Sequence, residues 1–553
     1  MSEHQQQSVK KKIEKRWKSL ENERSSWLSH WREIADYMLP RRGRFMVGPN
    51  QSNKGDRRNQ KILDPIATKA IRIGTSGLSS SMTSPARNWF KLGLGNTPSA
   101  SSAVKVWLEE SDRRMRRVMA ASNFYNSMGM VYQELLTFGT AVIMIDEDYD
   151  DVIRCYTMTA GEYCLALDGR LAPSTVIRKI VMTVEQLKDR FGEEALSPQT
   201  MALCKNGEYD KEIEVIHAIF PNHEQDPGAL GGAGGKWRGV YFECGGNEDK
   251  LLEDIGYDVQ PFMAPRWEVA SNDPYGSSPG MDALPEVKAL QLMQRRKAQG
   301  IDKMVNPPLK ASPGMKNEPI SAISGGVSYT PDPRGEGLAP IYMVNPQLGE
   351  MRQDIQEVHN RINSIFYVDI FMMISQLDDV RSATEINERR EEKKLQLGPA
   401  LERLQDELLD PAIERVFAIM VQAGLIPPPP EEIQGAPIDI EYISDLAQAQ
   451  RSVGTNAIER TLAWVGNLAG VRPDVLDKIN FDETVDQYSD MMGVSPKIVI
   501  PTEQANETRQ ARAEAAAQQQ QAAQALQAVE GAKLLSETQI GGGENALQRM
   551  VGL

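Results

Sequence analysis

Two helical segments bracket a stretch that no helix can cross. Residues 281–305 read as a helix that stops at Asn306-Pro307-Pro308. On the far side, Met351, Ile355, Val358, Ile362 and Ile365 repeat at strict 4-3-4-3 spacing, which lays one apolar seam along a second helix. Residues 306–348 between them hold eight prolines and five glycines, with only short strand-like pieces such as GVSYT and PIYMV. Proline lacks an amide donor and its ring collides with the preceding turn, so this insert cannot join the two segments into one rod. The chain must leave one helix, cross this insert and begin another. Ser277-Ser278-Pro279 opens the first helix, with a capping serine and a proline in the first turn. Leu284 and Val287 join the 351–365 seam as candidate packing positions.

The flanking texture differs on each side. Ile13, Trp17, Leu20, Trp27, Trp31, Ile34 and Met38 form a 4-3 stripe, interrupted by Arg24, on a helix expected to run to Leu39 and stop at Pro40. A second helix begins at Asp64-Pro65 and ends in the small-residue run GTSGLSSSMTSP; others are expected at 102–120 and 124–138. From Ala141 to about Val269 the runs AVIMIDED, VIRCYTM, TVIRKIVMT, EIEVIHAIF and WRGVYFEC are β-branched and bounded by turns, so antiparallel sheet is expected, interrupted by a helix at 184–192. The Gly-rich PGALGGAGGKW reads as a flexible hairpin loop. Ser382-Ala383-Thr384-Glu385 matches a capping box and opens a long helix through Met420, with kinks expected at Pro399 and Pro411. Residues 431–500 read as small helices. The Ala/Gln-rich 502–538 has high helix propensity but a thin apolar face, as a barrel wall or a frayed tail would.

Chemistry-bearing patterns fail on inspection. Gly235-Lys236 would need Gly at 230 and Ser or Thr at 237 to cradle a phosphate, and those positions hold Leu230 and Trp237. The acids Asp146, Glu147, Asp148, Asp150 and Asp151 read as a solvated turn, and Glu391, Glu392, Lys393 and Lys394 as an exposed helix face. His217 and His223 flank a loop-like Pro-Asn and read as solvated loop residues. Cys155, Cys164, Cys204 and Cys244 contain no CxxC pair, which favours reduced thiols over zinc or disulfides. No apolar run is long enough to span a bilayer, and the basic N-terminus has no apolar core of a secretory signal. No enzyme activity, metal or cofactor is expected. The net charge of −14 is uneven: residues 1–100 hold 19 Lys/Arg against 8 Asp/Glu, and the remainder is acidic. Either that end meets an acidic partner while the bulk repels nucleic acid, or its basic helix is simply solvated.

An ordered set of motifs resembles the head-to-tail connector, or portal, proteins of short-tailed bacteriophages. It comprises Arg16-Trp17, Arg24, Trp27, Trp31-Arg32-Glu33-Ile34-Ala35-Asp36-Tyr37 and Pro40; then Asp64, Gly77-Leu78, Thr83-Ser84-Pro85 and Trp89-Phe90. Thr137-Phe138-Gly139-Thr140-Ala141, Tyr275-Gly276-Ser277-Ser278-Pro279, Ala283-Leu284-Pro285, Asn306-Pro307-Pro308, Thr384-Glu385-Ile386 and Arg389 complete it. The match covers about 1–420 in order; beyond 425 only general character persists.

The resemblance implies an α+β, mainly α-helical portal fold with wing, stem, clip and crown, assembled as a ring, usually of twelve, at one capsid vertex. It would place the wing at 1–275, a stem helix at 276–305, the clip at 306–348 and a second stem helix at 349–374. A tunnel loop would follow at 375–381, a returning helix at 382–424, the crown at 425–500 and a C-terminal helix or barrel with tail at 501–553. Double-stranded DNA, contacted without sequence specificity, would pass along the axis. The implied partners are the terminase large subunit, major capsid and scaffolding proteins and a tail adaptor, in a virion component assembled in the host cytoplasm. Arg295, Arg296, Lys297, Gln376 and Arg381 are candidates for DNA-facing or inter-subunit contact. Rival readings are a non-ring assembly, scaffold or adaptor protein, and a nucleic-acid enzyme.

Overall fold

In the computed structural model the described residues are 3–47, 55–93, 102–226, 228–229, 231–245, 250–311, 316, 338–341, 347–375, 397–433, 439–442, 458–470, 472–492, 498–499, 502–537, 539–540 and 544–545. They fall into two compact units, one of residues 1–90 and 112–427, the other of 91–111 and 428–553.

The first unit is organised by α1 (Glu3–Tyr37). At 1.5 Å per residue it is about 50 Å long, enough to touch two cores. Ile13, Trp17 and Leu20 pack on one face of a sheet; Trp31, Ile34, Ala35 and Met38 enter a second core further along. Arg24, which breaks the apolar stripe in sequence, is buried because its guanidinium donates to the carbonyls of Gly161 and Tyr163 at 2.9 and 2.6 Å. α2 (Ile66–Met82), residues 112–121 of α3 (Ser102–Ala121) and α4 (Phe124–Phe138) also belong to this unit.

The β-rich part is two antiparallel sheets. β2 (Val142–Asp148) lies between β3 (Val152–Met158) and β9 (Phe262–Met263), numbering the short strand Phe90–Gly93 as β1. A five-stranded meander runs β4 (Tyr163–Leu167), β5 (Pro173–Thr183), β6 (Glu212–Pro221), β7 (Trp237–Glu243) and β8 (Glu253–Tyr257). α5 (Val184–Phe191) and α6 (Pro198–Lys205) interrupt it after β5; a full capping box at Thr183 and Gln186 starts α5. Of the acidic run, Asp146, Glu147 and Asp148 belong to β2 rather than to a solvated turn, and only Asp150 and Asp151 lie in the β2–β3 turn, where Asp148 accepts their amides.

Two readings are corrected here. His217 is not a solvated loop residue: it sits inside β6, opposite Arg178 and Tyr241, stacked on the Tyr241 ring at 3.9 Å. Burial and the nearby Arg178 and Arg190 charges hold its imidazole well below the usual range. The Gly-rich connection before β7 is tied down rather than free, because the Asn222 amide donates to the carbonyls of Gly232, Ala233 and Gly235. All four cysteines are free, three of them buried.

The helical hairpin consists of α7 (Pro279–Val305) and α8 (Leu348–Ile365), joined near its tip by the two-stranded pairing of β10 (Leu309–Ala311) with β11 (Leu338–Pro340). The expected continuous helix to 374 is broken instead. Tyr367 adopts φ 58°, and α9 (Val368–Ser375) starts in a new direction. Residues 397–422 form the returning helix, ending in α10 (Asp410–Gln422) and Gly424 at φ +68°. Pro411 acts through a π-turn at Gln405–Leu409 rather than a simple kink. The capping box at Ser382 lies outside the described residues.

In the second unit, α11 (Phe481–Met492) and α12 (Thr502–Glu537) are joined by Arg509, which pairs with Asp482 at 2.5 Å. α12 is exposed along its described side chains, including Leu526, Val529 and Leu534. Among the described residues no helix is long and apolar enough to cross a membrane.

Candidate functional site

The motifs at 137–141 and 275–280 meet backbone to backbone where α4 ends and α7 begins. Gly139 caps α4 at φ +80°, and a Cβ there would stand 2.2 Å from the Gly276 carbonyl. One on Gly276 would stand 2.6 Å from the Gly139 carbonyl, and one on Gly280 2.4 Å from that of Thr137. Only glycine permits this approach. Hydroxyls then lock it: Thr140 Oγ1 accepts the Gly276 amide at 2.8 Å, and Ser278 Oγ donates to the Thr137 carbonyl at 2.8 Å. The same Ser278 Oγ caps α7 by accepting the Met281 amide.

The tryptophan motif closes over this joint. Trp31 Nε1 donates to the Phe138 carbonyl at 3.1 Å, and its ring stands edge-on to Tyr275 at 5.0 Å. The Tyr275 hydroxyl in turn accepts the Leu165 amide, and the Tyr163 hydroxyl donates to the Thr140 carbonyl. Motifs separated by more than a hundred residues thus build one joint that aims α7.

A second anchor holds the hairpin from its side. Asp64 Oδ2 accepts from Gln294 at 2.7 Å and pairs with His359 Nε2 at 2.8 Å, while Gln291 accepts the amides of Leu63 and Asp64. Burial would raise the Asp64 carboxyl, but the bonds from His359, Gln294 and the Ile66 amide outweigh it and hold it below the ordinary carboxylate value. Asp64 is therefore more than a helix start: it ties the 55–65 loop to both hairpin helices.

The seam positions Leu284, Val287, Ile355, Val358 and Ile362 are buried in the chain's own core, with Met351 and Ile365 partly buried. They seat the hairpin's base within one protomer rather than forming a face for a neighbour. Further out the hairpin stands in solvent. Leu292, Ile301, Met304, Val305, Leu309 and Ile341 are large exposed apolar side chains; Arg295 and Arg296 are exposed and Lys297 half-buried. Gln376 and Arg381 lie outside the described residues. Sequence reasoning missed Gln291, Gln294 and His359 as anchors. Two glutamines three apart on the inner side of α7 were the available signal.

Glu134, on α4 beneath the joint, accepts from the Ala160 amide and Thr159 hydroxyl at 3.1 Å each and pairs with Arg42 at 3.2 Å. Burial outweighs these partners and pushes its carboxyl up to about 7 from 4.5. The folded chain then binds more protons than the unfolded chain between those values. Stability linked to this group is fully present below about pH 4.5 and declines as pH rises to about 7, by on the order of 1.4 kcal/mol per unit. Melting curves of wild type and Glu134→Gln across pH 4.5–8 should differ by this slope; parallel curves would show that the carboxyl does not titrate there.

Residues 10–499 match the family described as "Bacteriophage head to tail connecting protein". The chain belongs to this family. It is 44% identical over 537 residues to the portal protein of Salmonella phage epsilon15, covering 96% of both chains. It is 41% identical to a probable portal protein of Bordetella phage BPP-1 over 92% of both. A solved chain titled "Neck of empty GTA particle computed with C6 symmetry" aligns at 12% identity and TM-score 0.33, covering 73% of this chain and 86% of that one. As a member of the connector family, the protein is structural rather than enzymatic.

Proposed function

We propose that the protein forms a closed ring at one vertex of a phage head, through which double-stranded DNA is packaged and ejected. The observation that carries this reading is its kinship, over 92–96% of each chain, with a portal protein and a probable portal protein. The exposed apolar outer half of the α7–α8 hairpin supports it, since a lone protomer gains nothing from solvated Ile301, Met304, Val305 and Ile341. In this reading 276–305 and 349–374 are stem, 306–348 is the clip that meets terminase and later a tail adaptor, and 375–381 is the tunnel loop. The 1–275 wing would face capsid and scaffolding proteins, and 425–500 would form the crown. α12 would line a short barrel with its copies.

The acidic balance beyond residue 100 suits a conduit. Duplex DNA carries one charge per ~1.7 Å of axis, and a strongly basic bore would retard it. Electron microscopy of the concentrated full-length protein tests this reading. Closed rings with a bore wide enough for a duplex, binding DNA without a preferred sequence, are the expected result. Open filaments, or a footprint on a defined sequence, would overturn it.

A further inference from the structure

The outer hairpin carries two stripes of opposite charge. On α7, Arg295, Arg296, Gln299 and Lys303 recur at helical spacing, and all are exposed; the one acid of this stretch, Asp302, is exposed two turns beyond Arg295. On α8, Asp354 and Glu357 are exposed three residues apart, while Arg352 points about 200° round the helix from Asp354. Among the described residues, none of Arg295, Arg296, Lys303, Asp354 and Glu357 takes part in a salt bridge within the protomer. The one other exposed cation of this α8 face, Arg361, is already engaged by Glu286 at 3.1 Å.

The two stripes also stand at the same height. Gln294 and His359 meet on one oxygen of Asp64, and Arg361 reaches Glu286, so antiparallel levels along the hairpin are known. With antiparallel helices of equal rise, these two contacts put the level of Glu357 at residues 290–296 of α7 and that of Asp354 at 293–299, a span that holds Arg295 and Arg296 but not Lys303. Pure rotation about a ring axis moves a neighbour sideways without changing its height. A head-to-tail joint needs two unlike, complementary surfaces, and these stripes supply them. The reverse encounter, α7 against α7, would set cation against cation.

We propose that Arg295 and Arg296 of each copy pair with Asp354 and Glu357 of the next, and so set the direction in which copies join. This rests on the ring reading and commits these arginines to the joint between copies rather than to DNA. Such pairs act through encounter and register more than through raw affinity.

The test uses four proteins: wild type, Arg295→Glu/Arg296→Glu, Asp354→Lys/Glu357→Lys, and the combination of both sets. Sedimentation velocity and negative-stain microscopy read the ring fraction, and circular dichroism checks folding. Each one-sided reversal should raise the concentration for half-assembly tenfold or more, and the combination should restore rings. Rings at wild-type level in both one-sided variants would overturn the pairing, as would a folded combination that stays dispersed. Intact rings that lose only duplex retention would assign the cations to the bore and overturn it too. Wild type that forms no closed ring would instead overturn the ring reading beneath it.

Discussion

Gly139→Val is expected to abolish the folded first unit, while Gly192→Val, at almost the same φ, is expected to leave it folded. Both glycines have positive φ, Gly139 in the left-handed helical region at ψ −11° and Gly192 in the glycine-only extended region at ψ 158°, so both variants carry backbone strain, of order 1–3 kcal/mol. They differ in surroundings. Nothing lies within 4 Å of a Cβ at Gly192, whereas at Gly139 the Gly276 carbonyl oxygen is 2.2 Å away and its carbon 2.7 Å. Neither partner is a side chain that can swing aside. The joint must open, breaking the Thr140–Gly276 and Ser278–Thr137 hydrogen bonds and unseating Trp31 from the Phe138 carbonyl. Losses above about 4 kcal/mol are comparable to the whole stability of many domains. Gly280→Ala offers a reversal of sign. Alanine normally stabilises a helix over glycine by about 0.5–1 kcal/mol, yet here its methyl would meet the Thr137 carbonyl at 2.4 Å, so the first melting transition should fall. Soluble yield and melting temperature of the three variants decide the matter. Equal melting of Gly139→Val and Gly192→Val would remove the close backbone contact from the account.

This joint also marks the limit of what the residues alone disclose. Local physics was legible. The α1 stripe, the proline stops after Leu39 and Val305, the seam at Ile355, Val358 and Ile362, and the Ser278 cap all act within a few turns of their own position. The long-range pairings were not. Nothing near Arg24 announces that the carbonyls of Gly161 and Tyr163 will receive it, and nothing near His217 announces Arg178 and Tyr241 on neighbouring strands. The glycines at 139, 276 and 280 were visible as punctuation. That they interlock is a property of α4 and α7 meeting in space. The break at Tyr367 is tertiary as well: the Phe366 carbonyl would lie 3.0 Å from a Cβ on Gly74, and the Phe371 ring is pressed against Gly77. The small-residue run on α2 therefore receives the corner between α8 and α9.

The second large effect is expected at Glu407. Pro411 has no amide hydrogen to offer the preceding turn, and the helix responds with the π-turn at Gln405–Leu409, which widens the turn and helps aim Glu407 sideways. There its carboxylate accepts the Arg266 amide at 2.9 Å and grips the guanidinium with both oxygens, at 2.7 and 3.3 Å. Arg266 is buried and spends its remaining donors on the Leu171 and Asp273 carbonyls at 3.0 and 3.2 Å. Glu407→Ala removes the acceptor and leaves a buried cation and an amide uncompensated, so a loss of about 3–5 kcal/mol is expected. Replacing both partners, as Arg266→Met with Glu407→Leu, removes the stranded charge and should recover much of that loss, although the Leu171 and Asp273 carbonyls lose their donor. Hydrogen exchange would separate local from global damage: residues 397–404 should lose protection first in Glu407→Ala, because the pair is the polar clamp between that helix and the β9–α7 connection. A double variant no more stable than Glu407→Ala would mean the penalty comes from lost packing at the π-turn rather than from the orphaned guanidinium.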